Sequence, residues 1–350
     1  MSTLSIAVVG AGLMGRQHVQ VIAESSSFTL CAIVDPAPAA VALAEAHGVI
    51  GLPSLEALLA MQRPDAIVLA SPNAAHLQQG LCCVEAGIAT LLEKPIATSV
   101  VEAKQLVAAV ERLGARLLIG HHRAHSPIMA QARAVIAAGK LGRLVAISGR
   151  ATFYKPDDYF AAGPWRSQPG GGPILINMIH EVGNLRSLCG EIVALQAMTG
   201  NAVRGLAVED TVSVNLRFAN GVLGTFLLSD TAASPHSWEQ TSGENPAYAS
   251  YPDQDCYVLS GTDGSLAVPT MRWHGYGHAK ERSWWQPFAV EQFACRSGNP
   301  LTRQLEHFAD VVRGDAEPLV SARDGLRNLA VIEAIAEAAR TGCVVELPRQ

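Results

Sequence analysis

The chain has 350 residues, of which 49% are hydrophobic and 16% charged, with a formal net charge of −5. That is enough apolar residues for two domains with real cores, while the lack of a basic stripe argues against nucleic acid, and no run of about 18 apolar residues exists to span a membrane. Seven cysteines, an odd count with no C-x-x-C pair and with Cys82 and Cys83 adjacent, fit a reducing cytoplasm rather than a disulfide framework or a zinc site.

Met1-Ser2-Thr3-Leu4-Ser5 carries no basic side chain and leads directly into a glycine motif, so no signal peptide is expected. The predicted elements then alternate. A strand at residues 5–9 is followed by a helix at 13–23, a strand at 29–34 ended by Asp35-Pro36, and a helix at 37–47 stopped by Gly48. A short segment at Val49-Ile50 precedes a strand at 66–70, a helix at 74–86 and a strand at 88–92. A helix at 99–113 and a last strand at 117–119 complete the series. This βαβ alternation implies α/β architecture with a doubly wound parallel sheet and right-handed crossovers.

The pattern changes after His121-His122-Arg123. A helix is predicted from Ser126-Pro127 to about Ala138, then strand-like runs at 145–153, 211–218, 222–229, 257–260 and 265–268. Asn220-Gly221 between two of them is a strong hairpin signal, and Asp263-Gly264 is another turn. Further helices are predicted at 174–188, 301–313 and 321–340. The expected division is residues 1–122, a dinucleotide-binding domain, and 123–350, an α+β domain on a large, mainly antiparallel open sheet. The helix at 321–340 is expected to pack back toward the first domain.

Gly10-Ala11-Gly12-Leu13-Met14-Gly15 follows a strand and opens a helix. In such a turn Gly10 permits the tight bend, Gly12 lets the backbone approach a pyrophosphate, and Gly15 allows close helix–strand packing. The helix from Leu13 offers free N–H groups to phosphate. Asp35, twenty residues after Gly15, can accept hydrogen bonds from a ribose diol and would repel a 2′-phosphate. NAD is therefore expected over NADP.

Three more segments fall at strand ends, where ligands of open parallel sheets collect. Ser71-Pro72-Asn73-Ala74-Ala75-His76 is expected beside the cofactor crevice, with Asn73 also capping the next helix. Glu93-Lys94-Pro95 places a lysine at a strand end, either at the redox centre or as a solvated loop charge; its Lys94–Pro95 bond is expected to be cis. His121 and His122 point in opposite directions on an extended chain and make poor joint metal ligands; no metal is expected.

These motifs, together with Gly170-Gly171-Gly172-Pro173-Ile174-Leu175-Ile176-Asn177-Met178-Ile179-His180, resemble the Gfo/Idh/MocA oxidoreductases over essentially the whole chain. The resemblance implies a Rossmann domain followed by a sheet domain that covers the nicotinamide. It implies dimers or tetramers assembled through that sheet. It implies that Lys94 contacts the cofactor and the reacting oxygen and that His180 is the general acid/base. The residues agree on His180, since imidazole titrates near neutral pH; a core histidine is the other reading. Many such proteins have aspartate where this chain has Ile176 and Gly183. Asn177 and Asn184, at i−3 and i+4 on a helix, are expected to share a face with His180 and to orient its ring or meet a substrate hydroxyl.

A loop bearing Tyr154, Lys155, Trp165 and Arg166 is the second constellation. Tyr154, Trp165 and Arg166 suit a ring-shaped polyol, and Arg123, Lys155 or Arg166 suits a carboxylate. The alternative is a solvated loop with a tryptophan anchor. Segment 231–256 reads as a lid or subunit contact, and Trp284-Trp285 as packing or binding. The expected chemistry is NAD-dependent oxidation of a CH–OH carbon in a small cyclic hydroxylated substrate, a sugar, inositol-like polyol, ring diol or hydroxylated ring acid. The expected pocket lies between the two domains, walled by Arg123, Tyr154, Trp165, Arg166, Asn177 and His180. The alternatives are an acyclic hydroxy acid or semialdehyde as substrate, or a non-catalytic dinucleotide sensor.

Overall fold

The computed structural model describes residues 2–277, 281–295 and 298–348. The chain forms two compact units. One is the chain up to His125 together with Pro300–Leu329; the other is Ser126–Asn299 together with the chain from Ala330 onward. The units are thus not two contiguous stretches meeting at 122/123. Helical periodicity announces a buried face, but not which sheet that face will cover.

The first unit contains β1 (Leu4–Val9), α1 (Leu13–Ala23), β2 (Phe28–Val34), α2 (Pro38–Ala46), β3 (Ile50–Leu52), α3 (Leu55–Met61), β4 (Ala66–Leu69), α4 (His76–Glu85), β5 (Ala89–Glu93), α5 (Val100–Leu113) and β6 (Leu117–Gly120). The strand order is β3-β2-β1-β4-β5-β6, with every pair parallel. Both faces are covered, so the strands are continuous apolar runs. Ala7 and Val9 enter one core while Ile6 and Val8 enter the other. α5 starts where Ser99 Oγ accepts the Glu102 N–H at 3.2 Å and ends at Gly114, φ 59°; such a cap contributes about 1 kcal/mol. α3, which the periodicity did not reveal, is capped in the same way by Ser54. The later helix Pro300–Arg313 buries Leu301, Leu305 and Phe308 in the second of these cores. Phe308 stacks on Phe28 at 5.9 Å.

The second unit begins with α6 (Pro127–Ala137) and β7 (Leu144–Thr152), then α7 (Asp157–Ala161), α8 (Ile179–Cys189), β8 (Ile192–Gly200), β9 (Thr211–Phe218), β10 (Leu223–Ser229) and α9 (Trp238–Ser242). β11 (Tyr257–Gly261), β12 (Gly264–Val268), β13 (Arg272–Gly275) and β14 (Ala289–Gln292) follow, and β15 (Val345–Glu346) comes last; before β15 the chain forms α10 (Pro300–Arg313), which belongs to the first unit, and α11 (Ala322–Thr341), which belongs to the second from Ala330. The nine strands run β14-β13-β12-β11-β7-β10-β9-β8-β15. Only β7 and β10 pair in parallel. The expected Asn220-Gly221 hairpin joins β9 to β10, with Gly221 at φ 88°.

One face of this sheet is apolar core shared with α6, α8 and residues Val331, Ile332, Ile335 and Ala338. The opposite face presents Met198, Leu223, Leu227 and Val258 to solvent. Strand β8 escaped the sequence reading because its apolar start follows α8 after Gly190 alone, without a longer turn signal. Among the described residues no helix is long and apolar enough to cross a membrane.

Candidate functional site

In the first unit the predicted cofactor residues gather at the carboxyl ends of parallel strands. Gly10 follows β1, Asp35 follows β2, Ser71 lies just beyond β4, and Glu93 ends β5. Gly10 (φ 96°) leaves no room for a side chain, because a Cβ there would lie 2.5 Å from Ala70 O. A Cβ on Gly15 would lie 1.8 Å from Gly10 O, so α1 can approach the loop only with glycine at that point. Gly12 differs: a Cβ there would meet nothing within 4 Å. Its outward side is open, as a backbone that approaches a pyrophosphate requires. α1 also has no side-chain cap at its N-terminus, which leaves Leu13, Met14 and Gly15 to offer backbone donors to an anion.

Asp35 braces this loop. Its Oδ2 accepts the Ala11 N–H and its Oδ1 the Ala37 N–H, both at 2.8 Å. Each carboxylate oxygen retains a lone pair for a ribose hydroxyl.

The Ser71-Pro72-Asn73 segment is built differently from the expectation. Asn73 starts a single 3₁₀ turn, Asn73–Ala75, and α4 begins at His76 with no side-chain cap. Asn73 therefore does not cap it; the extra turn moves the helix start two residues on. His76 is 1% exposed, with Nδ1 2.7 Å from Pro95 O and Nε2 2.9 Å from Ser71 O. It ties the turn after β5 to the turn after β4. Burial lowers its proton affinity, opposed by those two carbonyls.

Lys94 is partly exposed, and its peptide bond to Pro95 is cis. Burial holds its ammonium below the usual lysine range and Arg123 adds to this, against the opposing charge of Glu93. Arg123 itself is buried, in the 3₁₀ turn His122–His125 after β6.

In the second unit the predicted helix at 174–188 is two elements. Ile174–Met178 is a π turn, and α8 follows from Ile179. Such turns often occur at functional sites. Glu209 Oε1 accepts the Ile174 N–H at 2.8 Å at the entry to this turn, and burial raises its carboxyl. His180 lies at the start of α8, 8% exposed.

Both asparagines hold hydrogen-bond partners. Asn177 Oδ1 accepts from Lys155 Nζ at 2.7 Å. Asn184 Nδ2 donates to Tyr257 Oη at 3.0 Å, and that hydroxyl donates to Glu181. Asn184 therefore belongs to a buried structural network.

The loop constellation is organised around one carboxylate. Asp230, 1% exposed, accepts from Arg204 Nε at 2.9 Å and lies 3.5 Å from Lys155 Nζ. Arg204 also donates to Lys155 O at 2.7 Å. Lys155 sits over the Tyr159 ring at 4.9 Å, and Arg166 stacks on that ring at 4.0 Å. Burial pulls the Lys155 ammonium down to about 8, against the pull of Asp230 and with help from Arg204 and Arg166. Tyr154 and Trp165 are 58% and 51% exposed.

Arg204 and Asp230 escaped the sequence reading because their partners lie tens of residues away. Trp238 in the 231–256 segment is core, donating to Glu244 at 3.1 Å, whereas Trp284 and Trp285 are exposed.

Residues 4–121 match the family model described as "Oxidoreductase family, NAD-binding Rossmann fold", and residues 133–347 the one described as "Oxidoreductase family, C-terminal alpha/beta domain". The chain is 27% identical over 301 residues to the 1,5-anhydro-D-fructose reductase of Ensifer adhaerens, covering 84% of this chain and 83% of that protein. It is 26% identical over 340 residues to the inositol 2-dehydrogenase of Rhizobium meliloti (strain 1021), covering 95% and 96%. A crystal structure of the WlbA dehydrogenase from Bordetella pertussis, in complex with NADH and UDP-GlcNAcA, is similar with a TM-score of 0.79, 26% identity and full coverage of both chains. With an NAD-binding loop at the ends of six parallel strands and family matches over both units, the chain belongs to the Gfo/Idh/MocA oxidoreductases, a family of NAD-binding enzymes.

Proposed function

We propose that this oxidoreductase moves a hydride between NAD and a CH–OH carbon of a cyclic hydroxylated substrate: a sugar, an inositol-like polyol, a ring diol or a hydroxylated ring acid. The observation that carries the reading is Lys94, a partly buried ammonium at the carboxyl end of β5, two strands from the glycine loop. The similarity to an anhydrofructose reductase and an inositol dehydrogenase supports the substrate class.

Gly10, Gly12, Leu13, Met14 and Gly15 would hold the pyrophosphate and Asp35 the ribose. Ser71, Pro72, Asn73, Glu93 and Lys94 would complete the cofactor edge. When bound, NAD supplies the hydride acceptor. His180 takes the hydroxyl proton as the carbon–oxygen bond gains double-bond character. Lys94 stabilises the negative charge developing on that oxygen. Arg123 keeps Lys94 from holding its proton too tightly. Tyr154, Trp165 and Arg166 supply ring and hydrogen-bonding surface to the substrate, and Asn177 holds Lys155.

A hydroxy acid or semialdehyde is the second reading, favoured by Lys155 and Arg204 meeting at the buried carboxylate of Asp230, with Arg166 acting on Lys155. The exposed Met198, Leu223, Leu227 and Val258 on the outer face of the nine-stranded sheet support self-assembly as a homodimer or homotetramer, which light scattering tests. The test of function is NADH formation at 340 nm across sugars, inositols, ring diols and ring acids. Turnover confined to acyclic acids would replace the first reading with the second.

A further inference from the structure

We propose that His18 is a positioning residue for Lys94, acting through the buried carboxylate of Glu93. The proposal rests on the role given to Lys94 above and adds a residue that no motif singled out. His18 lies on α1, the helix that the glycine loop opens, and is 1% exposed; Glu93 is 4% exposed. His18 Nε2 is 2.8 Å from Glu93 Oε1. Glu93 Oε2 accepts the Lys94 N–H at 3.2 Å. On another side, a side chain at Gly120 of β6 would begin 2.9 Å from Glu93 Oε1, so the strand leaves the carboxylate little space to turn. Glu93 is thus fixed between the cofactor helix and the lysine turn.

The charges around it give this geometry a consequence. Burial by itself would raise the Glu93 carboxyl. The hydrogen bond and charge of His18, with the charges of Lys94 and His122, outweigh burial and hold the carboxyl below its usual range. With Glu93 ionised, His18 Nε2 is the donor. Lys94 faces Glu93 and Arg123, and it acts in turn on His76. Burial and Arg123 favour its neutral form; Glu93 alone of these favours the ammonium. Without His18, Glu93 loses the hydrogen bond that most offsets its burial and takes up a proton more readily. Lys94 then loses the favourable charge of Glu93 and gives up its proton at lower pH.

The experiment is amine-selective acetylation of the full-length protein at graded pH, read by mass spectrometry of the Lys94 peptide, with exposed Lys140 as the internal control. His18→Leu is expected to lower the pH of half-reaction at Lys94 by about one unit, and Glu93→Gln by at least as much. His18→Gln, which keeps an N–H donor, is expected to stay closer to the native value. Should His18→Leu fail to fold, His18→Asn, too short to keep the contact, takes its place. An unchanged Lys94 titration in the folded variant overturns the proposal. The alkaline limb of kcat, measured alongside, separates the two readings. If the titration moves and the limb does not, the His18 coupling stands and the catalytic role of Lys94 falls.

Discussion

Ala11 donates its backbone N–H to Asp35 Oδ2 at 2.8 Å, so the carboxylate proposed to hold the ribose also fixes the glycine loop. Replacing it tests two properties at once. Asp35→Ala removes two charge-assisted acceptors, each worth about 1.5–3 kcal/mol, and is expected to weaken NAD binding and lower Tm. Asp35→Ser combined with Pro36→Arg keeps one acceptor and adds a cation at an exposed position. This pair is expected to move the preference from NAD toward NADP, as read by titration of each nucleotide. Tighter binding of NADP by the unmodified protein would refute the assignment of Asp35.

Lys94→Ala and His180→Ala are each expected to cut kcat by roughly 100- to 10,000-fold, the usual range for proton-transfer groups. NAD affinity, measured by quenching of protein fluorescence, should change far less, because the glycine loop and Asp35 are untouched. Full turnover in His180→Ala would move the proton-transfer role elsewhere. Lys155, which donates to Asn177 and whose ammonium burial pulls down to about 8, is the next residue to replace.

Lys155 also makes a stability prediction. Its folded ammonium titrates at about 8, chiefly because of burial, while an unfolded lysine titrates near 10.4. Between about pH 8 and 10.4 the unfolded chain holds more protons at this position, so its contribution makes stability rise with pH. Cys83 and Cys189 act in the opposite sense, since burial pushes their thiols up to about 12 and the unfolded chain releases those protons first. Comparison with Lys155→Met isolates the lysine. The variant's Tm relative to the native protein should be higher at pH 7 than at pH 10, a swing on the order of 1–3 kcal/mol. No swing would mean that the ammonium is solvated.

Much of the first unit was legible because its signals are local. A strand, a glycine turn and a helix are adjacent in sequence, and α1 falls at Leu13–Ala23 as its periodicity predicts. The second unit was legible in class and less so in detail. The π turn before His180 has no local code, and Asn177 within it accepts from Lys155, 22 residues back in the chain. His18, Arg204 and Asp230 matter through partners 75, 26 and 26 residues away, distances over which periodicity carries no information. The return of Pro300–Leu329 to the first unit is of the same kind: the apolar face of α10 was readable, and its destination was not.

Arg166 is the residue that distinguishes the two substrate readings. Its guanidinium stacks on Tyr159 at 4.0 Å and donates to the Tyr159 carbonyl, which holds the planar fork in a fixed orientation. A fork fixed in this way suits bidentate recognition of a carboxylate. If the substrate is an acid, Arg166→Ala removes a charge-assisted partner worth roughly 1.5–3 kcal/mol. KM should then rise roughly tenfold or more by the same figure, with a smaller rise for Arg166→Lys and a dependence on salt. If the substrate is a neutral sugar or polyol, the loss should be smaller and nearly insensitive to salt. Steady-state kinetics at two ionic strengths, on the best substrate from the 340 nm panel, reads this directly. A KM unchanged by Arg166→Ala at both ionic strengths would remove Arg166 from the substrate surface and leave it as the clamp on Tyr159.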